Sequence, residues 1–152
     1  WPTISSVPCS SINAMDKTLK NIRSLVAEEK IDKTAIEIAL DIKLSEDNKA
    51  SATQGMTIYE LGMGTILSAY DKVELRLFDA DSRFFLLVYP ESPIPLPLEE
   101  LKQLYTYKGF TAADPQRKEA AGYHFEKNGR KISFYCDGKL KNIIQVSIEG
   151  NT

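Results

Sequence analysis

The chain has 152 residues, of which 43% are hydrophobic and 26% are charged, and these values are typical of one folded domain with a buried core. Its net charge of −2 excludes the cationic surface that binding to nucleic acid or to anionic lipid requires. The longest apolar runs, such as residues 84–89, are too short to cross a bilayer. We therefore expect no nucleic-acid partner and no transmembrane segment.

The first ten residues, WPTISSVPCS, contain two prolines, three serines and one of the two cysteines of the chain. This composition predicts a flexible arm over residues 1–10, followed by a single globular domain over residues 11–152. The first residue is Trp1 rather than Met, which together with the cysteine pair favours a processed protein of the periplasm or the extracellular space. A cytoplasmic protein with two reduced thiols is the alternative.

Two amphipathic patterns of different period follow the arm. Apolar residues spaced three and four apart predict a helix that Ser10 and Ser11 are suited to cap and that ends near Glu29. Strict alternation of apolar and polar side chains from Ile36 to Leu44 then predicts a strand with one buried and one solvated face. The apolar face of the helix consists of Ile12, Met15, Leu19, Ile22 and Val26.

The next segment allows more than one assignment. Residues 45–55 are small and polar, which predicts a loop. Residues 56–70 fit a helix interrupted at Gly62 and Gly64, and they fit equally a strand followed by a turn or a short helix.

Alternation returns at residues 73–77, and an apolar run follows at residues 83–89. The turn-forming residues between them predict a hairpin whose second strand lies centrally in a sheet, covered on both sides or paired to neighbours. Prolines between residues 90 and 97 then end the sheet. A short helix starts after Pro97 and ends at Lys108-Gly109, and residues 111–121 form a polar connector.

Asn128-Gly129 is the dipeptide most typical of a two-residue hairpin turn, and it separates two runs of strand-forming residues. The register that this turn sets gives one apolar and one polar face. The opposed residues are Tyr123 with Phe134 and Phe125 with Ile132 on the apolar face, and His124 with Ser133 and Glu126 with Lys131 on the polar face.

A second turn follows this hairpin. We expect a three-residue loop at 136–138, because that loop places Phe134 opposite Leu140 and keeps the lysines out of the core. Cys136 then lies at a hairpin tip that Cys9 on the arm can reach, which predicts a disulfide between them. The same register directs three residues of the last strand to the core, namely Ile144, Val146 and Ile148.

Together these elements predict an α+β fold. It has a mainly antiparallel sheet of five to six strands with a C-terminal three-strand meander, and an N-terminal helix and a short helix pack on one face.

The reactive side chains do not form a common catalytic set. His124 is the only histidine, and the predicted register keeps it away from Cys136, which argues against a cysteine hydrolase. No G-x-S-x-G motif supports a serine triad, and the cysteines and histidine lack zinc spacing. Gly62 and Gly64 lack the other residues of a phosphate-binding loop. We therefore expect no catalytic residues, no metal and no cofactor.

These features favour a small non-catalytic exported binding protein of the immunity or inhibitor type, which binds and blocks a protein partner such as a toxin or a hydrolase. The polar face of the C-terminal strands is the predicted binding surface. Its residues are His124, Glu126, Lys131, Ser133, Tyr135, Lys141, Gln145 and Glu149.

Two other classes of function fit the same sequence. A small-ligand-binding domain or a small hydrolase would have its pocket between the sheet and the helices, lined by Tyr59, Tyr70 and the stretch from Gly62 to Gly64. A structural or assembly subunit of the cell envelope would need only its surface.

Overall fold

The structure of the chain is a computed structural model, which describes residues 16–49, 51, 55–62 and 69–152. In these residues it has three helices and nine strands. The helices are α1 (Lys17–Val26), α2 (Lys33–Leu40) and α3 (Leu98–Leu104). The strands are β1 (Leu44–Glu46), β2 (Met56–Leu61), β3 (Tyr70–Phe78), β4 (Arg83–Pro90), β5 (Ile94–Pro95), β6 (Thr106–Thr111), β7 (Ala121–Lys127), β8 (Arg130–Cys136) and β9 (Asn142–Asn151).

All nine strands belong to one antiparallel sheet. Eight of them follow the order β1-β2-β3-β4-β9-β8-β7-β6, and β5 pairs with the start of β9. The predicted α+β class, antiparallel sheet and C-terminal meander are confirmed. The sheet exceeds five to six strands because β1, β5 and β6 pair as well, although they lie in segments predicted as loop, linker and helix.

The helices pack against one face of this sheet. A continuous row of buried side chains crosses the sheet on that face, with each residue opposite the next on the neighbouring strand. The buried residues of all three helices join the same hydrophobic cluster. Each large side chain in this cluster contributes about 1.5–3 kcal/mol by its burial. The row consists of Leu75, Leu86, Ile148, Ile132 and Phe125.

Among the described residues, no helix combines the length and the apolar character that crossing a bilayer requires.

Helix α1 begins later than its apolar pattern predicts. Its N-cap is Asp16, whose carboxylate accepts a hydrogen bond from the Thr18 amide at 2.7 Å. The predicted caps and the first two residues of the apolar face lie outside the described residues, namely Ser10, Ser11, Ile12 and Met15. The remaining residues of that face are buried as predicted, namely Leu19, Ile22 and Val26.

Helix α1 also ends earlier than predicted, at Val26 rather than near Glu29. The guanidinium of Arg130 donates hydrogen bonds to the carbonyls of Val26, Glu28 and Glu29, two of them at 2.9 Å. The Asn128 amide donates to the Val26 carbonyl as well, at 3.0 Å. Side chains of the distant β7–β8 hairpin therefore bind the last carbonyl of the helix and two carbonyls just beyond it, which a local pattern does not reveal.

The strand predicted from Ile36 to Leu44 is wrong over most of its length. The residues up to Leu40 form helix α2, and only Leu44 belongs to a strand. Ile36 and Leu40 are one helical turn apart and both are buried, whereas Ile38 points outward and is 76% exposed. In an alternating run, every second apolar residue is four positions from the first, which is also the spacing of one helical turn. A short alternating pattern therefore fits a helix with a narrow apolar face as well as a strand.

Caps at both ends favour the helical form of this segment. The Asp32 carboxylate accepts a hydrogen bond from the Ala35 amide at 2.8 Å, which satisfies one of the free amides of the first turn. Asp41 ends the helix in the left-handed conformation, with φ of 55°. The chain then turns so that Ile42 joins the core.

The predictions for residues 45–55 and 56–70 have different outcomes. The predicted loop is wrong at its start, where Ser45 and Glu46 extend β1. For residues 56–70 the strand is the correct alternative over Met56–Leu61, and β3 begins at Tyr70. Residues 63–68, which include Gly64, lie outside the described residues.

The β3–β4 hairpin has the predicted strands. Val73 lies opposite Val88 and Leu75 opposite Leu86, and all four side chains are buried. Strand β4 is central, as predicted, because β3 pairs with one of its edges and β9 with the other.

The proline-rich segment does not end the sheet. Ile94–Pro95 forms β5, with Ile94 opposite Ile143 at the start of β9. A proline is compatible with this short strand because β5 pairs on one edge only. Helix α3 follows Pro97 as predicted, but it ends at Leu104.

The predicted helix stop at Lys108-Gly109 lies inside strand β6. The register between β6 and β7 shifts between Tyr107 and Gly109, which is the mark of a β-bulge. Glycine suits this place because its φ is +148°, a conformation that other residues rarely adopt.

The β7–β8 hairpin is the most accurately predicted element. Asn128 and Gly129 both have positive φ, as a two-residue turn of this type requires. All four predicted residue pairs are opposed in the structure. They are Tyr123 with Phe134, Phe125 with Ile132, His124 with Ser133, and Glu126 with Lys131.

The predicted three-residue loop between β8 and β9 is wrong. Phe134 lies opposite Val146 rather than Leu140, and residues 137–141 form the loop. A bulge between Tyr135 and Cys136 shifts the register, and Leu140, at φ of 58°, is the left-handed residue. Val146 and Ile148 are buried as predicted, but Ile143 takes the buried position expected of Ile144.

Cys136 is a free thiol and 2% exposed, so the predicted disulfide with Cys9 is not seen. The residue pairs with Ile143 inside the ladder instead of lying at the hairpin tip. Burial, with the nearby Asp137 carboxylate, raises the pKa of the thiol to about 11. Cys9 lies outside the described residues.

Candidate binding surface on the open sheet face

The side chains that alternate with the core residues form a second face of the sheet, which we call the open face. It is opposite the face on which the three helices pack, because neighbouring residues of a strand point to opposite sides. One row of this face runs across the sheet from Glu74 through Leu87, Ser147 and Ser133 to His124. The predicted polar face of the C-terminal strands is one part of the open face.

His124 is held by two hydroxyl groups on the neighbouring strands. Its Nδ1 lies 2.7 Å from the Ser133 hydroxyl, and its Nε2 lies 2.8 Å from the Thr111 hydroxyl. In a neutral imidazole one ring nitrogen donates and the other accepts, and hydroxyl groups suit both roles. The ring therefore links β6, β7 and β8 across the open face.

Tyr135 packs beside this histidine. The two rings meet edge to face, with centroids 6.1 Å apart and an interplanar angle of 79°. Tyr135 also covers Gly122 on β7, where an added Cβ would lie 2.9 Å from two ring carbons. Because the glycine leaves room for the ring, Tyr135 lies flat over the β7–β8 ladder.

The charged residues of the predicted surface form a neighbouring row. Glu126 lies opposite Lys131, and Lys131 lies opposite Glu149 on β9. The Lys131 ammonium and the Glu149 carboxylate are 3.7 Å apart at an exposed position. Such a pair contributes little to stability, about 0–1 kcal/mol.

Seven of the eight predicted surface residues share the open face. Gln145 lies opposite Tyr135, so it belongs with the others. Lys141 does not, because it lies in the loop before β9, where its amide donates to the Asp137 carboxylate at 3.0 Å. Ser133 is on the correct face but is only 2% exposed, so it positions His124 rather than offering contact area.

Sequence reasoning missed the aromatic half of the open face. Phe85 and Tyr89 on β4 and Phe78 on β3 are half-buried, and none belongs to the core cluster. The apolar run of β4 predicted a strand covered on both sides or paired to neighbours; β4 is paired on both edges, and among the described residues the helices pack on one side only. The sequence could have revealed these residues, because alternate positions of the two strands carry aromatic rings rather than aliphatic side chains.

Basic side chains lie over these rings. The guanidinium of Arg76 is 5.9 Å from the centroid of Phe85, and the ammonium of Lys72 is 5.7 Å from the centroid of Tyr89. Arg83 lies over Phe78 at 4.7 Å. Cations over ring faces gain about 0.5–1 kcal/mol at exposed sites.

Glu74 begins the row that ends at His124 in the polar half of the open face, and it binds the arginine that covers Phe85 in the aromatic half. Its carboxylate binds the Arg76 guanidinium, with the closest N–O distance 2.6 Å. The residue is 9% exposed, so Arg76 neutralises a nearly buried charge at the same time as it covers Phe85.

The two ring nitrogens of His124 contact hydroxyl groups, those of Ser133 and Thr111. Burial, together with the Lys131 charge, lowers the pKa of His124, and no carboxylate orients its second nitrogen. Cys136 points to the helix-covered face, so its thiol is on the opposite side of the sheet. Within the described ranges, no group of three or more His, Cys, Asp and Glu side chains could hold a metal ion.

The residues proposed to line a pocket between sheet and helices have structural partners. Tyr70 is 5% exposed, and its hydroxyl accepts a hydrogen bond from the Asn21 amide at 2.9 Å. Tyr59 packs against the core cluster, with the Lys33 ammonium 5.6 Å from its ring centroid. Both side chains therefore pack as part of the core layer.

No protein-family model matches the chain, and comparisons with curated proteins and with solved structures give no match either. Because a fold alone does not determine function, a proposal about function has to rest on the chemistry of particular surfaces.

Proposed function

We propose that this domain is a non-catalytic binding protein of the immunity or inhibitor type, and that it binds a protein partner through the open face of its sheet. The partner is a folded protein, such as a toxin or a hydrolase, whose action the complex blocks. The proposal places the domain outside the cytoplasm, in the periplasm or the extracellular space.

One observation carries this proposal. The open face presents half-buried Phe78, Phe85 and Tyr89 with basic side chains over their rings, and no described helix covers them. Aromatic residues and arginine are the side chains most enriched in the energetically important parts of protein interfaces.

The charges of the open face also favour a protein partner. Acidic and basic residues alternate on it, as in the row from Glu126 through Lys131 to Glu149. A nucleic acid or an anionic membrane requires a field of one sign, which this row does not provide. Mixed charges instead select a protein surface with the complementary pattern.

The test uses a photo-crosslinking phenylalanine analogue in place of Phe85 in the full chain, expressed in its own organism. A matched variant carries the same analogue at Ile38, which is exposed on helix α2. The proposal expects one protein to crosslink at the first position and not at the second. Mass spectrometry identifies this protein, and the complex is then prepared from the two purified components.

Titration calorimetry on the purified pair decides the outcome. Phe85→Ala should weaken binding at least about tenfold, because removing an interface aromatic commonly costs more than this factor, and Ile38→Ala should leave it unchanged. Equal crosslinking at both positions, or an affinity that Phe85→Ala does not alter, contradicts the proposal. A small molecule that copurifies in the core of a chain without a protein partner favours the ligand-binding class instead.

A further inference from the structure

A second surface of the protein has a different character. A groove of about 480 Å³ lies at the ends of β7 and β8, next to strand β6. Its volume is in the range of small binding sites. Its walls are mostly apolar, with Asp137 as the charged residue among them, and they include Phe110, Ala113, Cys136, Leu140 and Ile144.

Exposed apolar side chains concentrate at this groove. Five large hydrophobic residues are exposed among the residues that the structure describes, and three of them line it. Phe110 is 44% exposed, Leu140 38% and Ile144 37%. Scattered apolar residues are normal on a protein surface, but a group of them around one concavity marks a site of interaction.

The groove adjoins a free sheet edge. Strand β6 is the last in the sheet order, and no strand in the described part of the chain pairs with its outer side. Phe110 lies in β6 and also lines the groove. Gly109, Phe110 and Thr111 follow the bulge and are in continuous register with β7, so the outer edge of this half of β6 can pair with another strand.

Charged residues of both signs border the groove, because Asp114, which is paired with Arg117, and Glu119 adjoin the lining residues Ala113 and Ala120. The exposed cations beside its large apolar side chains are lysines. Lys139 and Lys141 flank Leu140 in the β8–β9 loop, and Lys108 lies at the bulge of β6; all three are exposed. The one acid of that loop, Asp137, lines the groove, and its carboxylate is held by hydrogen bonds from the loop and from the first residue of β9. It accepts hydrogen bonds from the Lys141 amide at 3.0 Å and from the Asn142 side chain at 2.9 Å.

We infer that an extended, acidic peptide segment of a partner protein adds to the outer edge of β6 and inserts one apolar side chain into this groove. The unpaired main-chain groups of residues 109–111 would supply the hydrogen bonds, and the groove would select the side chain. The lysines would select acidic neighbours by charge complementarity. This site is separate from the open face and does not depend on the function proposed for that face.

The test uses fluorescent heptapeptides with terminal glutamates, threonines at the flanking positions and one variable central residue. Leucine, isoleucine and phenylalanine at the centre should give saturable binding by fluorescence anisotropy, and serine should bind at least about tenfold more weakly. Methylation of alternate backbone nitrogens in the leucine peptide should abolish binding, because it removes the main-chain donors. Amide NMR spectra should show the largest shifts at residues 109–111.

Ile144→Ser is the decisive variant, and Ile38→Ser is its matched control at an exposed isoleucine far along the chain. The Ile144→Ser variant should bind the leucine peptide at least about tenfold more weakly than the wild type does. The Ile38→Ser variant should bind it with the affinity of the wild type. Phe85→Ala should also leave peptide binding unchanged, which separates this site from the open face. Thermal unfolding checks that each variant remains folded.

Three results would overturn the inference. The first is a peptide series in which none binds, or in which the serine peptide binds as well as the leucine peptide. The second is full binding of the N-methylated peptide, which would make the groove a pocket for apolar ligands without strand addition. The third is equal loss of binding in the Ile144→Ser and Ile38→Ser variants.

Discussion

The two faces of the sheet come from the same strands but have opposite character. Alternate residues of β4 illustrate this, because Leu86 and Val88 are fully buried beneath the helices, while Phe85 and Tyr89 are half-buried on the open face. The covered face is aliphatic and continuous with the core. The open face combines rings with charged side chains that contact them. One set of strands therefore stabilises the fold with one face, while no described helix covers the other face.

The physical difference lies in what each face contacts. Side chains of the covered face gain from complete removal from water, which is the main favourable contribution to folding. On the open face Glu74, Ser133 and Ser147 are buried, whereas the aromatic side chains have exchanged only part of their water for neighbouring residues. Their remaining exposed area is the area that a partner can still bury.

The largest expected effect comes from one Phe→Ala change on each face. Phe134→Ala on the covered face should lower the free energy of unfolding by about 3–5 kcal/mol, because it leaves a cavity in the core. Phe85→Ala on the open face should cost about 1 kcal/mol, since it removes partial burial and one contact with Arg76. Urea denaturation of both variants measures the difference. Equal losses would mean that the open face is as well packed as the core.

Two arginines, one on each face of the sheet, allow the two faces to be compared by the loss of a charged side chain. Arg130 is buried on the helix side and binds three carbonyls at the end of α1. Arg130→Met should cost about 2–3 kcal/mol, since the carbonyls lose a charged donor. Arg83→Met, at an exposed ion pair with Asp81, should cost about 0–1 kcal/mol. Chemical denaturation of both variants measures the loss of unfolding free energy. A loss for Arg83→Met as large as that for Arg130→Met would contradict the structural role given to Arg130.

Two glycines test how closely the open face is packed. Gly122→Ala should cost about 1–2 kcal/mol, because the new methyl group meets the Tyr135 ring. Gly138→Ala is the matched control, since an added Cβ there has no neighbour within 4 Å. It should change the stability by less than about 0.5 kcal/mol. Thermal unfolding measures both. A neutral Gly122→Ala would show that Tyr135 moves freely, and the face would then be less ordered than its contacts indicate.

The smallest expected effect is the pH dependence due to His124. Burial and the Lys131 charge lower its pKa in the folded state, so the unfolded chain binds the proton more tightly. The contribution of His124 to stability is therefore fully present above the ordinary histidine pKa of about 6.5, and it is lost as the pH falls from there through the lower pKa of the folded state. His124→Gln should remove this part of the acid dependence. NMR titration should show the low pKa directly, and Lys131→Gln should raise it; an unchanged value in that variant would exclude the charge effect.

The elements that the sequence predicted correctly are those in which local chemistry and core packing agree. The Asn128-Gly129 turn sets the register of its hairpin, and the aromatic residues of both strands fit the core in that register only. From this register the sequence also placed His124 beside Ser133, which is the centre of the polar half of the open face. Its hydrogen bond to Thr111 was not predictable, because β6 carried no strand pattern.

The segment from Ile36 to Leu44 shows why other predictions failed. Its alternation fits a strand as well as a helix with two large buried residues one turn apart, and the further apolar residues with helical spacing, Ala35 and Ala39, are too small to distinguish the two. The cap at Asp32 and the packing of Ile36 and Leu40 against the sheet decide for the helix. The bulge next to Cys136 likewise depends on pairing with β9, so the local turn pattern gave the wrong register.

By itself, the amino-acid sequence determined the α+β class, the central β3–β4 hairpin and the face of the sheet on which His124 lies. These follow from the period of apolar residues and from turn chemistry, which act over a few residues. Only the tertiary structure decided which face the helices cover, which aromatic rings stay half-exposed and how β6 and Ile144 come to border one groove. Those outcomes depend on contacts between residues far apart in the chain, and no local pattern contains that information.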